Sequence, residues 1–436
     1  MEYASLSEKI LRSIQKIIKN DPEIEDFGIV PTDDNSRNKS PVLYENHHLG
    51  LESWCVKYVY DYVCAKLMQV RSNLTENKIV SSIKEDLNYL LIGALLINPD
   101  VTTFWNMKRE LVKSDVLNCE GELSFSKLVL TKKPKSNEAF SYRRWLITLS
   151  INKYRTGLGF LPLHSLLDSE LALCTQTASS SPNNYHSWTH REWIFSLFLP
   201  HFPSIVITEL EFSEQWINGH VSEHSGYHYR QVVIHSYRHH KNLRMPVDCF
   251  YRVSTKLNLS DQWGNFEELL VFLLGPSAKI KEYNYYVSYI LLLLYELQDV
   301  ICYIDKEYIE HESLWLHRRS IIYKLLEISH DYLGEQMNPN SNLTEFNSLS
   351  SELGASNNII TSISNDTNYK GTQAKIFKSQ PTKFESTSLC QILYDSERDF
   401  IKRNSLRSAL QSEYAKRYEK WLKYVVGFNI DLCFID

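Results

Sequence analysis

Apolar residues along this chain recur every three to four positions. In "ASLSEKILRSIQKIIK" (4–19), Leu6, Ile10, Ile14 and Ile17 or Ile18 form one stripe, the spacing of an amphipathic helix. "LESWCVKYVYDYVCAKLMQV" (51–70) continues in the same style, and "EDLNYLLIGALLIN" (85–98) predicts a buried helix. Asn98-Pro99-Asp100 then reads as an N-cap, a proline at the first helical position and an acid in the first turn, which predicts a new helix start. Pro134, Pro182 and Pro203 mark later starts. No stretch sustains a period of two, so no strands are expected. Residues 334–388 break the pattern. They are rich in Ser, Asn and Thr and too weakly hydrophobic to offset the entropy of ordering, which predicts a disordered insertion. Helical patterning resumes over 389–427, as one helix or a helix pair.

Within the helical pattern lies a repeat. Five stretches carry an aromatic residue followed three positions later by a basic one: 98–111, 134–147, 181–194, 222–234 and 310–322. The aromatic slot holds Trp105, Phe140, Trp188, Tyr227 and Trp315. The basic slot holds Lys108, Arg143, Arg191, Arg230 and Arg318. Successive basic positions are 35, 48, 39 and 88 residues apart, so one unit lacking the motif is expected around 262–303. Its "FEELLVFLL" and "YNYYVSYILLLLYELQDV" still read as two helices. Such periods are those of stacked helical hairpins, each unable to bury its apolar face alone. The fold class is therefore all-α, a right-handed α-α solenoid over residues 1–333 that 389–427 completes. In it the aromatic slot packs between hairpins. The basic slot lays its stem along the core and bonds to acceptors of the next unit.

Composition narrows the function classes. The chain has 436 residues and a net charge of −5, without the basic excess that nucleic-acid binding favours. Its eight cysteines form no C-x-x-C pair, which suggests reduced thiols in a cytoplasmic protein. The N-terminal stretch is charged and amphipathic rather than a secretory signal, and the apolar run "YILLLLYEL" (289–297) is too short to span a bilayer. Cys433-Phe-Ile-Asp436 has the outline of a prenylation box, but Asp is not a usual final residue, so it reads as a frayed tail. His186/His190 and His224/His228 have the i, i+4 spacing of zinc ligands, yet no third ligand accompanies them and no bound metal is expected. Motifs of serine hydrolases, P-loop proteins and dinucleotide binders are missing from the sequence.

"PKSNEAFSYRRWLI" (134–147) and "NNYHSWTHREWI" (183–194) resemble the two central repeats of the protein prenyltransferase α-subunit family. Those repeats usually read Pro-Lys-Asn-Tyr-x-x-Trp-x-x-Arg-Arg and Lys-Asn-Tyr-His-x-Trp-x-x-Arg. The resemblance implies an α subunit that wraps a β subunit carrying the catalytic zinc and the isoprenoid pocket, with no cofactor bound by this chain. It implies pairing with the β subunit of the Rab geranylgeranyltransferase, as in a type III geranylgeranyltransferase. The co-substrate would be geranylgeranyl diphosphate, and the acceptor a C-terminal cysteine of a protein such as a SNARE. Lys135 matches the family lysine beside the departing diphosphate, and Tyr185 and His186 match its Tyr-His pair; the resemblance gives these three the catalytic role. Asn137 and Asn184 are expected to bind substrate. Asn137 stands where the family has tyrosine and Phe140 where it has tryptophan. The alternative is a non-catalytic solenoid scaffold, which has no need for Lys135, Tyr185 and His186 to converge.

Overall fold

The computed structural model describes residues 2–32, 38, 40–74, 81–157, 162–237, 284–337 and 388–428. "FEELLVFLL", nearly all of the 334–388 insertion and the tail from Cys433 lie outside the described residues. The protein is an all-α helical repeat solenoid whose chain divides into two compact units, Met1–His201 and Phe202–Asp436.

The first unit opens with α1 (Glu2–Asn20), α2 (Ser53–Leu74) and α3 (Ser81–Ile97), which pack on one another. Ile10, Leu11 and Ile14 of α1 are buried. At Gly93 of α3 the place of a Cβ is 2.0 Å from Leu11 Cδ2, so the two helices approach as closely as they do because no side chain intervenes. Four more helices follow: α4 (Thr102–Lys113), α5 (Cys119–Lys132), α6 (Asn137–Arg155) and α7 (Leu163–Ser180), and then α8 (Tyr185–Phe198) closes the unit. Helices α3, α5 and α7 form one layer and α4, α6 and α8 the other, each hairpin spanning both.

Two local expectations fail here. Helix α4 begins at Thr102 behind Val101, which supplies no side-chain cap. Asn98 instead turns the chain before the helix, its Oδ1 accepting from the Asp100 N–H at 3.3 Å. The chain also has strands. β1 (Asp26–Val30), β2 (Val42–Glu45) and β3 (His48–Glu52) form a sheet in the order β1-β3-β2. β1 runs parallel and β2 antiparallel to β3. A two-residue turn at Asn46-His47, both with positive φ, joins β2 to β3, and strands of four or five residues are too short to leave a period-two pattern.

The second unit pairs α9 (Ile205–Gly219) with α10 (His224–Tyr237), α11 (Asn284–Cys302) with α12 (Glu312–Met337), and α13 (Ser388–Ser405) with α14 (Ala409–Trp421). The segment 284–302 therefore pairs forward, as the first helix of the hairpin that carries Trp315 and Arg318, rather than closing a separate unit.

The second helix of five hairpins (α4, α6, α8, α10 and α12) carries the repeat motif. All nine of Trp105, Phe140, Arg143, Trp188, Arg191, Tyr227, Arg230, Trp315 and Arg318 are buried. What holds the buried cations is a ladder of glutamates. Lys108 meets Glu122 at 2.8 Å. Arg143 forks onto both oxygens of Glu170 at 2.7 and 2.6 Å, and Arg318 onto those of Glu397 at 3.0 and 2.6 Å. Arg230 grips Glu296 in the same bidentate way. Each glutamate lies on the first helix of a later hairpin. It also accepts from a residue 20 or 21 positions further on, on the second helix of its own hairpin: Tyr142 for Glu122, His190 for Glu170, His317 for Glu296 and Tyr418 for Glu397. The arginine's remaining nitrogen turns back to its own hairpin. Nη1 of Arg143, Arg191 and Arg230 donates to the Leu123, Leu171 and Leu210 carbonyls and to Ser126, Thr175 and Ser213. Arg143 and Arg230 thus each tie three helices together.

Burial favours a raised carboxyl at Glu170, but the Arg143 charge and the His190 hydrogen bond outweigh it and pull the group down to about 2. Stability from this rung is full above the ordinary value of 4.5 and is lost as pH falls toward 2. Glu170→Gln leaves Arg143 without its counter-charge and is expected to lower stability at neutral pH by about 3–5 kcal/mol. It also flattens the acid limb over that window. Denaturant unfolding across pH measures both, and unchanged stability at pH 7 would refute the ladder's role.

Candidate functional site

The loops ahead of α6 and α8 are stitched together in both directions. Asn184 Nδ2 donates to the Pro134 carbonyl at 2.7 Å, and Lys135 Nζ donates to the Pro182 carbonyl at 2.8 Å. Ser136 caps α6 by accepting from the Ala139 N–H, and Asn184 caps α8 by accepting from the Ser187 N–H. Asn183 takes a left-handed φ of 56°, which turns the chain so that Tyr185 and His186 open α8. Both helices therefore present their N-terminal ends, where unpaired N–H groups and the helix dipole favour an anion.

Lys135 and Tyr185 are exposed, Tyr185 at 61%, and His186 is half-buried. The Tyr185 and His186 rings meet edge to face with centroids 5.8 Å apart. Lys135, Tyr185 and His186 are thereby brought to one place. Burial, then the charges of Arg144 and Lys135, depress the His186 imidazole, so it rests neutral and can donate one N–H. Among the described residues, no carboxylate acts on it. Glu138, in the first turn of α6, acts on Arg109 instead.

The two asparagines part company. Asn137 is exposed at the first position of α6, free to meet a ligand. Asn184 is fully buried, and it spends its amide on the Pro134 and Thr177 carbonyls and its oxygen on the Ser187 N–H. Asn184 is thus occupied within this chain, where it joins the loops that carry Lys135 and Tyr185. Arg144 was not singled out in the sequence for any role, although it is the second member of the Arg143-Arg144 pair. Its signal was the register, one position after a ladder cation. His190, one half of the possible zinc pair, is buried against Glu170. Since a carboxylate can only accept, Nε2 carries the proton there.

The residues that a family model for the protein prenyltransferase alpha subunit repeat matches are 119–150 and 167–198. These segments coincide with the α5/α6 and α7/α8 hairpins that build this site. Two of the chain's hairpins are protein prenyltransferase alpha subunit repeats. The chain is similar over 98% of its length to protein prenyltransferase alpha subunit repeat-containing protein 1 of Danio rerio, at 28% identity and 98% coverage of that protein. The Homo sapiens protein of the same name is 29% identical, with 97% of both chains covered. The geranylgeranyl transferase type-2 subunit alpha of Sus scrofa is 28% identical over 159 residues, which is 34% of this chain and 24% of that one. The repeat register, the hairpins and the matched segments agree on a prenyltransferase-alpha-like fold. Among the described residues, no helix is long and apolar enough to cross a membrane, and no group of three or more His, Cys, Asp or Glu is arranged to hold a metal.

The His186 imidazole should titrate below the ordinary 6.5, and Lys135→Ala should raise it by removing a neighbouring charge. Imidazole NMR of the chain follows this directly. A titration at or above 6.5 in the unaltered protein contradicts the arrangement described.

Proposed function

We propose that this chain is the alpha subunit of a heterodimeric protein geranylgeranyltransferase of type III kind, paired with a beta subunit of the Rab geranylgeranyltransferase type. The observation that carries the reading is the convergence of Lys135, Tyr185 and His186 on the N-terminal ends of α6 and α8, with no carboxylate among the described residues acting on His186. A pure scaffold needs no such cluster. In this reading the partner supplies the zinc that activates the acceptor thiol and the pocket for the isoprenoid. The acceptor is a cysteine near the C-terminus of a protein substrate, of which a SNARE is one example.

When the thiolate displaces diphosphate from C1 of the geranylgeranyl group, the C–O bond breaks and negative charge gathers on the departing oxygens. A cation fixed at that place lowers the barrier because it meets more charge in the transition state than in the ground state. Lys135 supplies the cation. The Tyr185 hydroxyl and the His186 N–H donate to the same oxygens, with Asn137 at the rim. Asn184 keeps the two loops in register.

The purified chain alone should show no transferase activity, and co-expression with a Rab-type beta subunit should give a stable pair that transfers geranylgeranyl. Lys135→Ala in that pair should lower kcat on the order of 10²-fold while the subunits stay associated. Failure to co-purify with any prenyltransferase beta subunit removes the transferase reading and leaves a scaffold. Full turnover by the Lys135→Ala pair removes the leaving-group role alone.

A further inference from the structure

Helix α6 carries two adjacent arginines with different surroundings. Arg143 is paired with Glu170. Arg144, turned about 100° around the helix, is half-buried between α6, α7 and α8, where its charge acts on His186 and His190 and feels Cys174 and Tyr185. The two arginines in the same register elsewhere are covered by aromatic faces from the second helix of the next hairpin. Arg109 lies 5.5 Å from the Tyr142 ring centroid and 5.8 Å from that of Trp145, and Arg319 lies 5.9 Å from that of Trp421. The ring in the corresponding place for Arg144 is Trp193; it stacks on His190 at 5.7 Å, as Trp145 does on Tyr142 at 5.8 Å and Trp421 on Tyr418 at 5.7 Å, but among the described residues it does not also cover the arginine. Among the described residues, Arg144 has neither an ion pair nor a side-chain hydrogen bond nor an aromatic face.

A guanidinium partly withdrawn from water and left unpaired is costly, and Lys135 beside the same imidazole adds like-charge repulsion. An anion removes both costs at once. The geometry allows it: Arg144 lies seven residues into α6, about 10 Å along the axis. Helical side chains lean toward the N-terminus, which brings its head back toward the end where Tyr185 and His186 open α8.

We infer that Arg144 is the interior cation of a diphosphate site in this chain, binding the anion from beneath while Lys135 meets it from the rim. This rests on the placement of Lys135 and His186 at an anion site in the proposed function, and it adds a residue to which no role was attached. A planar fork on a buried stem suits a group with several acceptor oxygens better than a single small anion does.

The test uses the full chain and inorganic pyrophosphate, with binding read by calorimetry and by the His186 imidazole resonances. Arg144→Gln should weaken binding roughly ten- to a hundred-fold, and Arg144→Lys should restore part of it. Arg109→Gln, at the aromatic-covered position in the same register, should bind as the unaltered chain does. Arg144→Gln should also raise the His186 titration, since Arg144 from α6 and Lys135 from the preceding loop are the charges facing it, and should leave unfolding stability undiminished. Wild-type chain that ignores millimolar pyrophosphate overturns the inference, as does an Arg144→Gln chain that binds it equally well. A pyrophosphate site that needs Arg144, in a chain that pairs with no prenyltransferase beta subunit, upholds the inference while the transferase reading falls. An active pair whose KM for geranylgeranyl diphosphate is unmoved by Arg144→Gln does the reverse.

Discussion

The buried ion pair between an arginine on one hairpin and a glutamate on a later one is the constraint on which the repeats depend. Packing of Trp105, Phe140 or Trp315 drives the hairpins together, yet apolar faces alone tolerate sliding. A bidentate fork does not. Arg143 on Glu170 and Arg318 on Glu397 need both nitrogens opposite both oxygens, so a slip of one residue strands a charge in the interior. The second donor, Tyr142 for Glu122 or His190 for Glu170, comes from the glutamate's own hairpin. Each rung therefore fixes the register within a hairpin and between hairpins. Replacing a whole rung by apolar residues need not cost stability, since desolvating two charges offsets much of their attraction. What the rung contributes is a unique stacking arrangement.

That arrangement is what makes a site out of separate loops. The Arg143–Glu170–His190 rung holds α6, α7 and α8 in a single register. With those helices set, the loops ahead of α6 and α8 meet, and Asn184 and Lys135 close two hydrogen bonds across them. Phe140 lies against His190, with ring centroids 5.1 Å apart, so even the substitution of phenylalanine for the usual tryptophan keeps an aromatic contact beneath the site. The side chains proposed to act on diphosphate thus stand on well-supported helix ends, although they are exposed or only half-buried themselves.

The helices, the aromatic slot and the basic slot could be read from the sequence because their spacing is local. The glutamates could not. They lie 14, 27, 66 and 79 residues from their cations, a distance set by loop lengths that vary, so no fixed offset announces them. Their offset to the tyrosine or histidine of their own hairpin is nearly constant, at 20 or 21, as it is for Glu209, which accepts from Tyr229, and that residue immediately precedes the arginine in Tyr142-Arg143, His190-Arg191, Tyr229-Arg230 and His317-Arg318. That pair marks the ladder everywhere but at Glu397, whose partner Tyr418 is followed by Glu419. The short strands escaped notice because β3 reads as the start of a helical segment, and Asn98 looked like a cap because composition does not distinguish a cap from the turn before it. At the site, Lys135, Tyr185 and His186 came from resemblance. Asn184, expected to bind substrate, is buried and joins the two loops, and a matched position does not report burial.

A comparison of the loop contacts explains why charge is left over at one place. The repeat brings successive loops together in each unit, and the partner varies. Ahead of α4 and α6, Lys133 pairs with Asp100, and the contact is neutral. Ahead of α10 and α12, Ser222 meets His311 at 2.8 Å, and ahead of α12 and α14, Ser408 meets Glu310. Ahead of α6 and α8 a lysine meets a carbonyl, so the contact brings Lys135 no counter-charge, and among the described residues Arg144 behind it has no ion pair. The chain as a whole carries −5, yet a bound anion responds to the groups within a Debye length, about 8 Å at physiological salt. Electropositive character at this site is therefore a property of one loop pair, produced where the repeating contact swaps a carboxylate for a carbonyl.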